Sequence, residues 1–239
     1  MNPELQALLS RLKSWANSKN VKGMVRYGIN PHQTLGIPMP LLRKTAKSMG
    51  KNHRLALSLW DSGIHEARIL SALIDDPSQV TESQMEKWVN DFDSWDVCDQ
   101  VCSNLFDKTP FACQKTFEWS RRKHEFVKRA GFVLMAVMAV HDKKAEDNLF
   151  ESFLPLILKE CVDERNFVKK SVNWALRQIG KRNPRLRNKA VQTAKSILHK
   201  PSKSARWIAS DAMRELVRFT RRPATTRSKG KKIKGNNLS

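Results

Sequence analysis

Apolar residues recur along this chain at intervals of three and four, and no run sustains the alternation in steps of two that a half-buried strand requires. Leu5, Leu8, Leu9, Leu12 and Trp15 show the pattern first, Met85, Trp88, Val89 and Phe92 repeat it, and Glu125 to Val140 carries its most apolar stretch. The chain is therefore expected to be all-α, with about a dozen helices. The punctuation agrees. Asn2 and Pro3 suit a helix start and Pro40 and Pro110 open helices; Thr81 with Gln84 has capping-box spacing, Ser94 is placed to cap the helix behind it, and Gly180 stands at a stop. A second helix is expected over Asn20 to Ile29, and Pro155 is expected in the first turns of a helix from Leu149 to Cys161. Helix pairs recurring loosely every ~40 residues predict a right- or left-handed solenoid of about six antiparallel pairs with a concave basic face, the alternative being an irregular bundle.

Charge narrows the partner. Lys and Arg number 44 against 23 Asp and Glu, a formal net charge of +21, which fits nucleic acid or another anionic surface. The helical domain is expected over residues 1–219. Residues 220–239 carry Arg221, Arg222, Arg227, Lys229, Lys231, Lys232 and Lys234 with no acid, and are expected to be a disordered tail. That tail would add phosphate contacts or serve as a solubilising or targeting extension. The N-terminus lacks a secretory layout, so a cytoplasmic protein is expected, or a nuclear one in a eukaryote. Cys98, Cys102, Cys113 and Cys161 have no second Cys/His pair at metal spacing, so buried thiols are expected and no metal. The longest apolar run, Gly131 to Val140, is about half a membrane span, which makes it a core helix.

Within this basic chain, the stretch Asp91 to Phe106 is an anomaly. If helical, it places Trp95 and Asp99 four residues apart on one face, so that an aromatic plane and a carboxylate share a site that should repel phosphate. Cys98, Val101, Cys102, Leu105 and Phe106 form its packing side, and Asp96, turned about 100° from Trp95, reads as structural. Arg129 sits early on the most apolar helix and must face a groove or an acid. Lys170, Trp174 and Arg177 share one face of a later helix, a tryptophan bracketed by cations. Spacing alone leaves a second reading open, with Trp95 and Trp174 in the core and Asp99 paired to Arg129. Trp15, Trp60, Trp88, Trp119 and Trp207 read as core or interface.

These segments, in order, resemble the AlkD-like DNA glycosylases: Leu35-Gly36-Ile37 with Pro40 and Arg43; Ser94-Trp95-Asp96 with Asp99; Lys128-Arg129-Ala130; and Asn173-Trp174 with Leu176-Arg177 before Asn183-Pro184. The match covers about residues 20 to 200. The resemblance implies a solenoid of HEAT-like helix pairs around duplex DNA that contains alkylated bases. It implies excision of cationic N3-methyladenine and N7-methylguanine type purines in base excision repair, without base flipping. Trp95 and Trp174 would then contact the lesion nucleotide, Asp99 would be the catalytic carboxylate, and Arg129 a backbone-binding cation. Thr34, Arg43, Lys170 and Arg177 are further candidates for phosphate contact. No cofactor is implied, and a monomer is expected.

The residues make chemical sense of this. A cationic purine is already a good leaving group, so no strong general acid is needed, and a fixed carboxylate can stabilise the charge growing on the sugar while it orients a water. Two alternatives stand beside it: a non-catalytic HEAT-like module for distorted or branched DNA, and a helical scaffold for protein partners.

Overall fold

A computed structural model of the chain describes residues 3–220. The cap expected at Asn2 and the tail beyond Thr220 lie outside the described residues. Among the described residues the fold is all-helical, with no strand. In chain order the helices are α1 (Pro3–Ser14), α2 (Ser18–Val25), α3 (Met39–Met49), α4 (His53–Trp60), α5 (His65–Ile74), α6 (Glu82–Asn90) and α7 (Trp95–Asn104). After a 3-10 turn at Phe106–Lys108 come α8 (Ala112–Trp119), α9 (Glu125–His141), α10 (Asp147–Glu160), α11 (Asn166–Lys181), α12 (Pro184–Leu198) and α13 (Lys203–Thr220). No helix among the described residues is long and apolar enough to cross a membrane.

The helices form two layers. In one, α3, α5, α7, α9, α11 and α13 pack each on the next; α4 packs on α5, α6 and α8 on α9, and α12 on α11 and α13. Neighbours in the first layer run parallel, as their side-chain pairings show. Cys98 and Cys102 Sγ point to the carbonyls of Phe126 and Ala130, and Asn173 and Arg177 bond to Asp211 and Glu215, both partners ascending together. This follows from chain geometry: a helix that returns through the other layer reaches the first one in its original direction.

The core has two clusters that meet on α9, which is buried from Val127 to Ala139. Gly131 explains how α8 comes so close, because a Cβ there would lie 2.4 Å from the backbone nitrogen of Ser120. In the N-terminal cluster the Trp60 and Trp88 rings stack with centroids 4.0 Å apart. Trp60, Trp88 and Trp119 are buried, whereas Trp207 is 41% exposed. Cys98, Cys102 and Cys161 are buried free thiols and Cys113 is partly buried.

Local departures from the sequence expectation have local causes. Asn17, not a later residue, caps α2 by accepting from the Asn20 backbone N–H, so the helix starts early and ends at Val25. Gly28 then takes a positive φ of 76° and turns the chain into a loop. Pro155 lies in the interior of α10 on its exposed side, where water can satisfy the carbonyl it leaves open. Thr81 caps α6, but the Gln84 side chain donates to Asp75 at 2.7 Å instead of closing the box.

Candidate active site

Helix α7 begins where a loop is fastened to it. Ser94 holds the N-cap position but its hydroxyl caps nothing on its own helix; it accepts from the Asn30 backbone N–H at 2.9 Å. The Asn30 amide donates to Asp93 at 2.7 Å, and Trp95 Nε1 donates to the Tyr27 carbonyl at 3.1 Å. The loop is pinned from behind by Glu66. Its carboxylate, 1% exposed, accepts from the backbone N–H groups of Leu35, Gly36 and Ile37 at 2.8, 2.6 and 3.1 Å. Gly36 is required there: its φ is +79°, and a Cβ would lie 2.4 Å from the Asn17 carbonyl oxygen.

Between this loop and α2, Trp95 lines an open groove of about 840 Å³ with Lys19, Lys22, Arg26, Tyr27 and Ile37. Tyr27 is 75% exposed. The sequence reading missed this basic and aromatic wall. Its signal was the spacing of Lys19, Lys22 and Arg26, three and four residues apart, beside the chain's single tyrosine.

One turn into α7 from Trp95, Asp99 meets Arg129 of α9 in a two-pronged pair: Nε donates to Oδ1 at 2.9 Å and Nη2 to Oδ2 at 2.8 Å. The remaining prong, Nη1, donates at 2.6 Å to the carbonyl of Phe167 on α11. Arg129 thus ties three consecutive helices of the layer together. Its side chain is 6% exposed, that of Asp99 16%. Burial pushes the Asp99 carboxyl above the ordinary aspartate value, the charge and hydrogen bonds of Arg129 pulling against it. Beside Trp95, the Asp96 carboxylate accepts from His65 Nε2 at 2.8 Å, joining α7 to α5.

Asp99 and Arg129 are therefore one connected pair, with Trp95 one turn before Asp99 on α7. Trp174 follows Phe167 on α11 and is half-buried, packed against both core clusters. Lys170, a turn before it, is exposed, as is Arg43 on α3. Thr34 belongs to the pinned loop and donates to the Asn30 carbonyl at 2.7 Å. Two of the expected backbone contacts are engaged within the protein. Arg129, expected on the DNA backbone, has its guanidinium turned inward and committed to Asp99 and Phe167, because a cation on so apolar a helix is tolerated only with its charge compensated. Arg177 is held by Glu215 at 2.5 Å and lies 3.6 Å from Asp211, which neutralise it. Lys128 is likewise paired, to Glu160 at 2.6 Å.

The fold has relatives. A solved structure, described as belonging to a new family of proteins related to the HEAT-like repeat DNA glycosylases with affinity for branched DNA structures, shares the fold. It matches at a TM-score of 0.72 and 17% identity, over 89% of this chain and 95% of that one. The chain belongs to the family of DNA alkylation repair enzymes, whose model matches residues 8–216. The uncharacterised protein Lin0241 of Listeria innocua is 24% identical over 200 residues, 82% of this chain and 84% of its own length.

Proposed function

We propose that this chain is a monofunctional DNA glycosylase that hydrolyses the N-glycosidic bond of cationic alkylated purines, of the N3-methyladenine and N7-methylguanine type, in duplex DNA. The observation that carries this reading is the Asp99 carboxylate, oriented through both oxygens by Arg129 and one turn from the Trp95 ring. A carboxylate already fixed before the reaction needs no reorganisation when positive charge grows on the sugar, which is where such a group contributes most. Arg129 is a positioning residue in this scheme. Its hold on Asp99 keeps the carboxylate aimed, and the burial of both limits screening by water. The lesion stays in the duplex, with the rings of Trp95 and Trp174 against the sugar and the cationic base; cation-π contact is worth about 0.5–2 kcal/mol per ring. Lys170 and Arg43, both exposed, and Thr34 would take phosphates.

A second reading, a non-catalytic binder of branched DNA, draws on the same ion pair, since an acid already neutralised costs little on a DNA-facing surface. One experiment separates them. Wild type and Asp99→Asn are incubated with N7-methylguanine duplex under single-turnover conditions, alongside binding to linear and four-way-junction DNA. Base release slowed by about 10²–10³-fold in Asp99→Asn is expected. Absence of release by wild type, with tight binding selective for the junction, would overturn the glycosylase reading in favour of the second.

A further inference from the structure

The described surface holds a second aromatic and cationic cluster that the proposed chemistry does not use. Trp207 on α13 is 41% exposed, an unusual position for a large aromatic. Lys169 of α11 places its Nζ 5.2 Å from the centre of the Trp207 ring. Lys203, one turn earlier on α13, and Arg206 are exposed. Of the acids nearby, Asp211 is bonded to Asn173 and Arg214 and Glu215 pairs with Arg177 and Lys181, whereas Glu164 is exposed and accepts only from the uncharged Ser202 and Ser204. Around the indole, Lys169, Lys203 and Arg206 thus stand against the one uncompensated carboxylate of Glu164, and the balance is positive.

Its place in the fold supplies the partner. α13 lies two helices beyond α9 in the layer that carries Asp99, Arg129 and Trp174, and runs parallel to α11. At about 8–10 Å per helix step, the cluster sits roughly 16–20 Å from Arg129 along the layer. That distance corresponds to about five to six base pairs of B-form DNA at ~3.4 Å each. Inside an intact duplex the base faces are stacked and closed to an indole, so the surfaces left to it are deoxyribose and phosphate.

We propose that Trp207, with Lys169, Lys203 and Arg206, forms a second DNA contact that grips the sugar-phosphate backbone about five to six base pairs to one side of the lesion. This rests on the duplex lying across the layer, as in the reading above. Trp207 packs against a deoxyribose, and the three cations take the adjoining phosphates.

The test uses the full chain and three duplexes carrying one N7-methylguanine: one extending about twelve base pairs on both sides, and two truncated to about three base pairs on one side or the other, short of the expected contact. Trp207→Ala and the double variant Lys169→Gln/Lys203→Gln are compared with wild type by fluorescence anisotropy across a salt series. Both variants are expected to bind the long duplex about five- to tenfold more weakly, in the range of a lost stacking or cation contact. The double variant should also lower the slope of log affinity against log salt by about two, near 0.9 per lost phosphate contact. On one of the truncated duplexes the variants and wild type should bind alike. Equal weakening on all three duplexes, or none on the long one, overturns the proposal. Trp207→Phe, which keeps the ring, should retain most of the affinity, and its failure to do so would also count against an aromatic contact. Base release is read separately. Wild type that grips the long duplex in this length-dependent way yet releases no base would sink the glycosylase reading and leave the contact standing.

Discussion

Helices α7 and α13 carry the same pair, Trp95 with Asp99 and Trp207 with Asp211, at the same four-residue spacing and in the same layer. The two carboxylates are even exposed alike, at 16% and 20% of their side chains. They are nonetheless driven in opposite directions. Burial carries Asp99 above the ordinary aspartate value against the pull of Arg129. At Asp211 burial also pushes upward, but hydrogen bonds from Asn173 and Arg214 and the charge of Arg177 outweigh it, and the net direction is down. What differs is the solvation lost by the acid itself: far more protein surrounds Asp99 than Asp211, and that loss outweighs even the two-pronged hold of Arg129. A spacing in sequence thus defines a candidate, and the desolvation of the carboxylate decides its chemistry.

The contrast can be broken most directly at the buried partner. Arg129→Ala leaves Asp99 without its counter-ion and is expected to cost about 3–5 kcal/mol in urea unfolding, part of which should return in the double variant with Asp99→Asn. A loss under about 1 kcal/mol would mean that the pair is no deeper in effect than a surface salt bridge.

A second, smaller effect concerns how each helix is anchored. At the start of α13, Glu164 holds Ser202 and Ser204, a tie between a carboxylate and hydroxyls, whereas α7 is held by the bond from the His65 imidazole to Asp96. Burial alone would lower the His65 imidazole, but the hydrogen bond and charge of Asp96, with Glu66 and Asp93 beyond, raise it above 6.5. A pKa raised on folding stabilises the protein fully below the unfolded value, and that stabilisation is lost as pH rises through the folded one. His65→Gln should therefore cost about 1.5–3 kcal/mol near pH 5.5, in the range of a hydrogen bond to a charged group, and progressively less in more alkaline buffer. A cost that is flat with pH, or grows, would remove the charged pair from the account.

Asp211→Asn is expected to do least: under about 1 kcal/mol in stability, and base release within about twofold of wild type. If it slowed release as far as Asp99→Asn does, the two tryptophan–aspartate pairs would be functionally equivalent and the comparison would fail.

The helices were legible because their apolar residues keep a 3.6-residue period, and α9 and α10 begin and end within a residue or two of expectation. α2 was not, since its limits depend on Asn17 and Gly28, a cap and a turn with little apolar pattern around them. In the site, Trp95 and Asp99 could be seen because their relation is local. The pairing of Arg129 with Asp99 was one of two readings left open, and the choice between them was not legible, because the two acceptors of Arg129 lie 30 and 38 residues away in the chain. Nor could the role of Glu66, which as sequence is one helix acid among many. Its partners are backbone groups about thirty residues upstream, and no side-chain pattern announces a backbone donor.

The burial of α9 also has a bearing on how the chain is made. Val133 and Leu134 of that helix belong to the N-terminal cluster, while the neighbouring Phe132 and Met135 belong to the C-terminal one. A nascent chain emerging from the ribosome as far as α10 would present half of α9 as bare apolar surface until α11 arrived to cover it. The two halves are accordingly obliged to finish folding together, and a truncation placed between α9 and α11 should yield aggregates and not a working half-protein.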